Sequence, residues 1–262
     1  MNANSSDKIM IYLYSCETNI NNYKDIKFEF DNYFEQFGNY EFQPFIDKTT
    51  FENQIQTNKN CIIILSGWHY KELFKKLTLK PLLVSQRDDS KYQRRIVVSK
   101  THGIDLNSIA NCRIASAISQ EYTKKMLDAY IMSFTNNSSK NKNEIPPAPL
   151  QVNYRILTVP KDIDALISVG FGMSTIALTL ENSLDRLKTI NPELSNKINI
   201  LFKGEKTLSL IVAIPATFTG ELNNIITFIK KMNNDVRGKK LKLFGIDGWF
   251  DIDPTDIQNL EG

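Results

Sequence analysis

Three short stretches hold the residue types best suited to gripping a small ligand, and each lies where an apolar run gives way to polar residues. Leu13-Tyr14 leads into Ser15-Cys16-Glu17-Thr18-Asn19, Ile64-Leu65 into Ser66-Gly67-Trp68-His69-Tyr70, and Ala115-Ser116 into Ser119-Gln120. A strand that runs straight into Ser, Thr or Gly and then a helix presents first-turn N–H groups, with their partial positive charge, beyond its carboxyl end. Small hydroxyls add donors without blocking the approach. That chemistry suits a small anion held by neutral donors rather than by a permanent countercharge. Each junction alone reads first as a helix cap; three together point to a shared ligand site. The candidates are Tyr14, Ser15 and Thr18, then Ser66, Gly67, Trp68, His69 and Tyr70, then Ser116, Ser119 and Gln120. Ser174 and Thr175 are weaker candidates, and Arg87 would add a charge if its loop turned inward.

No catalytic set stands out, and the expectation is a protein that is not an enzyme. The two histidines are His69 and His102. His69 could donate to a ligand, although a structural role is commoner for such a residue; His102 precedes Gly103 in a turn. His69 with Cys16 or Glu17 is the one constellation an enzyme could use. There is no nucleophile elbow, phosphate-binding Walker loop or dinucleotide fingerprint. Gly170-Phe171-Gly172 follows a helical stretch rather than a strand. Cys16, Cys61 and Cys112 match no metal spacing, so no metal and no cofactor are expected, and Cys61 and Cys112 read as core packing. Trp68 and Trp249 read as packing anchors, with Trp68 able to line a pocket wall. Asp88-Asp89 and the Asp251/Asp253 pair read as solvated turns.

These residues need rigid elements behind them, and the hydrophobic pattern supplies an alternation of strand and helix. Ile9 to Tyr14 and Tyr40 to Phe45 read as strands. Between them Ile26, Phe30, Tyr33, Phe34 and Phe37 share a helical face that Gly38 ends. Thr49 to Glu52 has capping-box spacing. Cys61 to Leu65 is a nearly continuous apolar run, as for a strand covered on both faces, and His69 to Leu77 is helical. Leu82 to Ser85, Arg95 to Ser99, Arg113 to Ser116, Tyr154 to Val159 and Ser174 to Thr179 read as further strands. Helices are expected over Gln120 to Phe134 (capped by Ser119), Asp162 to Val169, Leu184 to Ile190 and Glu221 to Met232. The strongest apolar strand is Leu208 to Ile214, and Asn136 to Pro149 is a polar excursion.

Composition bounds the function from outside. The chain has 262 residues, 42% of them hydrophobic, enough for one large domain or two small lobes. A formal charge of +3, spread along the chain, gives no footprint for nucleic acid or an acidic membrane surface. No apolar stretch is long enough for a membrane span. No signal peptide is visible, so the expectation is a periplasmic or extracytoplasmic protein if a leader was removed, and otherwise a cytoplasmic one.

The order of segments carries a resemblance. It runs from Tyr12-Leu13-Tyr14-Ser15 and its following helix, through Phe51 to Leu73 with Leu65-Ser66-Gly67-Trp68-His69-Tyr70, and Lys80-Pro81-Leu82-Leu83-Val84 with Tyr92 to Lys100. It continues through Ile104 to Ser116 and Tyr122 to Leu127, then Asp164-Ala165-Leu166-Ile167-Ser168-Val169, and ends in Met232 to Trp249 with Gly238, Leu241 and Gly245-Ile246-Asp247-Gly248-Trp249. In this order the chain resembles the phosphate/phosphite/phosphonate substrate-binding proteins of ABC importers. The resemblance implies an α/β, two-lobed, type II periplasmic-binding-protein fold, each lobe a mixed sheet flanked by helices, with the ligand cleft between lobes. It implies one lobe from residues 1–98 and 210–262, another from 99–209, and a hinge near Val98 to Lys100 and Leu208 to Leu210. The function implied is capture of a phosphate- or phosphonate-like anion for an ABC-transporter permease. A sensor or accessory role on the same fold is the alternative. One departure stands out: Ser116-Ala117-Ile118-Ser119-Gln120 keeps two hydroxyls where the family carries a run of Ser and Thr.

Overall fold

A computed structural model describes residues 8–15, 23–102, 112–138, 154–235 and 239–261. The chain packs as two compact units, Met1–Tyr92 with Thr207–Gly262, and Gln93–Lys206. Val98 to Lys100 therefore lies inside the second unit.

The sheet of unit 1 is built from β1 (Ile9–Tyr14), β2 (Tyr40–Pro44), β3 (Cys61–Ser66), β4 (Leu79–Gln86), β10 (Leu210–Pro215) and β11 (Gly248–Asp251), in the order β11-β4-β10-β3-β1-β2. β1 is parallel to both β2 and β3, while β10 is antiparallel to both β3 and β4. β1, β2, β3 and β4 thus end on one edge of the sheet. All six residues of β3 are buried, as its continuous apolar run demands. Pro44 is tolerated because β2 is an edge strand. Pro81 sits inside the sheet on β4, opposite Ala213, where the pairing with β10 shifts register.

Around this sheet lie α1 (Tyr23–Phe34), α2 (Lys48–Thr57), α3 (Gly67–Leu77), α8 (Leu222–Lys231), α9 (Lys239–Phe244) and α10 (Pro254–Glu261). The spacing that predicts α1 puts Ile26, Phe30, Tyr33 and Phe34 in the interior. Phe30 meets Phe42 at 4.8 Å and Phe244 at 4.5 Å between ring centroids, and Trp249 joins the same cluster. Such aromatic pairs add about 0.5–1.5 kcal/mol each beyond their burial. The cap of α2 is Asp47 rather than Thr49: its carboxylate accepts from the Thr50 N–H at 2.7 Å. An ionised acceptor suits the helix N-terminus better than a hydroxyl.

Unit 2 holds β5 (Tyr92–Ser99), β6 (Arg113–Ser116), β7 (Arg155–Thr158), β8 (Ile176–Leu180) and β9 (Asn199–Leu208), in the order β7-β6-β8-β5-β9. β6 is parallel to β7 and β8, and β5 is antiparallel to β8. Its helices are α4 (Gln120–Ser138), α5 (Asp162–Gly170), α6 (Glu181–Ile190) and the short α7 (Pro192–Ser195). Asn191-Pro192 ends α6 as expected, and Asn191 then caps α7 by accepting the Leu194 N–H at 3.0 Å. The core gathers Ile96, Val98, Ala115, Leu166, Val169 and Leu187.

Candidate functional site

In unit 1 the carboxyl ends of β1 and β3 bring two expected junctions side by side. Tyr14 pairs with Leu65, so Ser15 follows level with Ser66, and both serines are buried. α3 begins at Gly67 with no intervening loop. Ser66 caps it, its Oγ accepting the His69 N–H at 3.4 Å, and the Gly67 N–H donates to Ser209 O at 2.7 Å. α3 has no acidic residue in its first turn. By contrast α2 is capped by Asp47, and α4, α5 and α6 carry Glu121, Asp162 with Asp164, and Glu181 in theirs. Acidic groups there use up the positive end of a helix, and α3 has none within its own first turn.

The side chains around α3 divide into interior and rim. Tyr70 is fully buried and donates its hydroxyl to Leu79 O at 3.1 Å, which makes it a core residue rather than a ligand contact. Tyr14 is packed against Phe51 and His69, with ring centroids 5.4 Å away in both cases. Trp68 is partly exposed, and Lys48 Nζ lies 5.7 Å from its ring centroid. Lys48 is also 3.8 Å from both Glu52 and Glu72. Thr18, with Cys16 and Glu17, falls outside the described residues.

His69 is fully buried, with Nε2 2.7 Å from Glu52 Oε1 and Nδ1 buried without a hydrogen-bond partner. Sequence reasoning missed Glu52 because seventeen residues of separation leave no local signal. The dyad ties α2 to α3, and a role for His69 in support of the junction accounts for its burial. Burial pushes the imidazole below the usual histidine range, and the Glu52 carboxylate opposes that shift. The unfolded chain takes up the proton near pH ~6.5, whereas the folded chain holds it off to lower pH. The contribution of His69 is therefore present above that value and is lost as pH falls through it. His69→Gln keeps a donor for Glu52 but cannot titrate. The fall in melting temperature between about pH 7 and about pH 5 is expected to be shallower in this variant than in the parent; parallel profiles would remove His69 as a source of the pH dependence.

In unit 2, Ser116, Ser119 and Gln120 come together at the end of β6. Ser116 is buried, with its Oγ 2.8 Å from Thr123 Oγ1, and it also accepts the Ile118 N–H at 3.3 Å. Ser119 caps α4 by accepting the Tyr122 N–H at 3.3 Å, and Gln120 is exposed. Ser174 and Thr175 do not join them. They precede β8, which is parallel to β6, and the Thr175 N–H donates to Arg113 O at the start of β6. They therefore lie on the opposite edge of the sheet, at the amino end of β8; the predicted strand Ser174 to Thr179 begins two residues later, at Ile176. Arg87 is held in unit 1, its Nε donating to Gly245 O.

Arg95 is a buried charge on the carboxyl edge of β6 and β8 that sequence reasoning missed. It is 3% exposed and ion-paired with Asp162 at the start of α5. Nearby, Arg94 and Lys203 both approach Glu181, at 3.8 and 2.6 Å. Among the described residues no group of three or more His, Cys, Asp or Glu side chains is placed to hold a metal ion. None of the described helices is long and apolar enough to cross a membrane.

No family model and no curated protein matches the sequence. Solved structures do match. A binding-protein component of an ABC phosphonate transporter from Pseudomonas aeruginosa aligns over 96% of this chain and 84% of its own, with a TM-score of 0.62 at 15% identity. The chain has the periplasmic-binding-protein fold. PhnD1 of Prochlorococcus marinus, solved with methylphosphonate, covers 96% of this chain and 95% of its own, with a TM-score of 0.59 at 10% identity. XAC2383 from Xanthomonas citri, solved with chloride and separately with ATP, covers 97% of this chain and 94% of its own at 12% identity, with TM-scores of 0.63 and 0.61. Within this fold the strand-to-helix junctions on the carboxyl edges are the described features of this chain best suited to a ligand.

Proposed function

We propose that this chain is a solute-binding protein that takes a small oxyanion, phosphate- or phosphonate-like, and presents it to an ABC-transporter permease. The observation that carries the reading is the first turn of α3, which opens directly from β3, is capped by Ser66 beside the buried Ser15, and has no acidic residue of its own. Ser119 and Gln120 at the start of α4 are the donors that unit 2 would offer. The known binders that share the fold support a phosphorus oxyanion. The Ser119 hydroxyl accepts from the helix on one side and would donate to the anion on the other.

A thermal-shift series tests the reading with methylphosphonate, phosphate, sulfate, chloride and ATP as probes. A ligand bound only by the native state at a hundredfold excess over its Kd stabilises by about 2.7 kcal/mol. Methylphosphonate or phosphate is expected to raise the melting temperature, and Ser119→Ala to weaken that binding about tenfold, the loss of one charge-assisted hydrogen bond. A neutral or cationic solute that stabilises while every anion fails would reject the proposal.

A further inference from the structure

The C-terminal helix α10 closes a ring of hydrogen bonds around the point where the chain leaves unit 1 and returns to it. Unit 1 ends at Tyr92 on the way out and resumes at Thr207. Lys91 and Tyr92, at the exit, are both held from the C-terminal segment. Lys91 Nζ donates to Asp256 at 3.0 Å, to Asp253 at 3.2 Å and to the Asp251 carbonyl at 3.2 Å. The Tyr92 hydroxyl donates to Asp256 and accepts from Asn259 Nδ2 at 3.2 Å. Asp256 is 2% exposed, so this is an interior anchor rather than a surface pair. At the return, the Ser209 N–H donates to Lys91 O at 2.9 Å and Ser209 O accepts the Gly67 N–H. α10 in turn packs on α3. The ring therefore runs from α10 through Lys91 to Ser209, on to Gly67, and back through the packing of α3 on α10, with Tyr92 as a second tie to α10.

We infer that α10 is a clamp, with Asp256 as its pin, that stiffens both segments through which the chain passes between its units and couples them to the first turn of α3. Without the Asp256 carboxylate, Lys91 would keep only Asp253 and the Asp251 carbonyl, and Tyr92 would keep Asn259 and the short-range bonds to Ser90. With Asp256 in place, the exit segment is held by one buried carboxylate and the return segment is joined to it through the Ser209 N–H and Lys91 O, so disturbance of the pin reaches the ligand junction through Ser209. The clamp lies wholly within unit 1 and stands whether or not that unit binds an oxyanion.

Amide hydrogen exchange on the full, ligand-free chain tests it. Asp256→Asn is expected to speed exchange at the Ser209 and Gly67 amides about tenfold while the amides of β1 and β3 keep their rates, the signature of local opening. Tyr92→Phe removes one arm of the ring with almost no change of volume and is expected to act at the same two amides more weakly; it carries the test if Asp256→Asn does not fold. Unchanged exchange at Ser209 and Gly67 in a folded variant overturns the clamp. Equal acceleration across β1 and β3 overturns it too, because Asp256 would then be ordinary core.

Discussion

Gly67→Ala is expected to destabilise the protein by about 3 kcal/mol or more, the upper part of the range for overpacking a tight site. Helix propensity alone gives the opposite sign, since alanine gains roughly 0.5–1 kcal/mol over glycine inside a helix. Packing decides the outcome. A Cβ at Gly67 would lie 2.3 Å from the Leu208 carbonyl oxygen and 2.9 Å from its carbon. Both are backbone atoms, and Leu208 is pinned by its neighbour Ser209, whose carbonyl accepts the Gly67 N–H. Relief of the clash requires the start of α3 to part from the β9–β10 connection, with loss of that hydrogen bond and the adjoining Ser66–Leu210 pairing. For a chain of this size the fall in melting temperature is roughly 6–12 °C. A melting temperature at or above that of the parent would show that α3 does not start in close contact with Leu208.

Asp162→Ala is expected to cost about 3–5 kcal/mol, because it strips the carboxylate from a guanidinium held in the interior of unit 2. Arg95 is 3% exposed and cannot swing to water without opening the sheet. Asp162 also favours the N-terminus of α5, and its backbone carbonyl accepts the Thr179 hydroxyl at 2.9 Å, a bond the substitution leaves in place. The double change Arg95→Met with Asp162→Leu is expected to cost clearly less than Asp162→Ala alone, since no charge then remains to be desolvated. Denaturant unfolding of the two variants measures the difference. If the single change were the milder one, the pair would owe little to burial.

The sequence showed most where burial and local chemistry agreed. Cys61 to Leu65 reads as a doubly covered strand because each residue is apolar, and β3 has that character. Ser119 reads as a cap because its hydroxyl serves a donor three residues on. Legibility failed where the deciding partner is distant or the strand is half-exposed. β9 (Asn199–Leu208) lies on a sheet edge, and its short apolar run Ile200-Leu201-Phe202 gives way to Lys203, Gly204, Glu205 and Lys206, so the pattern shows only Leu208, as the start of the next strand. The pattern could not show the break at Ser209, which is imposed by hydrogen bonds to Lys91 and Gly67. At the candidate site, local spacing found Ser66 and Ser119, but it could not find Glu52 behind His69 or Asp162 beside Arg95. It also placed Ser174 and Thr175 with Ser116, because the end of a sheet on which a residue falls depends on strand direction, and strand direction is a property of the whole sheet.

Cys61 and Cys112, one in each unit, are both buried and neither is in a disulfide. Burial pushes the Cys61 thiol up to about 12, and its Sγ donates to the Asn58 carbonyl at 3.1 Å. A thiol kept protonated and enclosed is a poor nucleophile until its surroundings open. Each unit thus carries its own chemical clock. The rate at which an alkylating reagent marks Cys61 reports openings around β3, the marking of Cys112 reports openings at the start of β6, and peptide mass analysis reads the two separately in a single reaction.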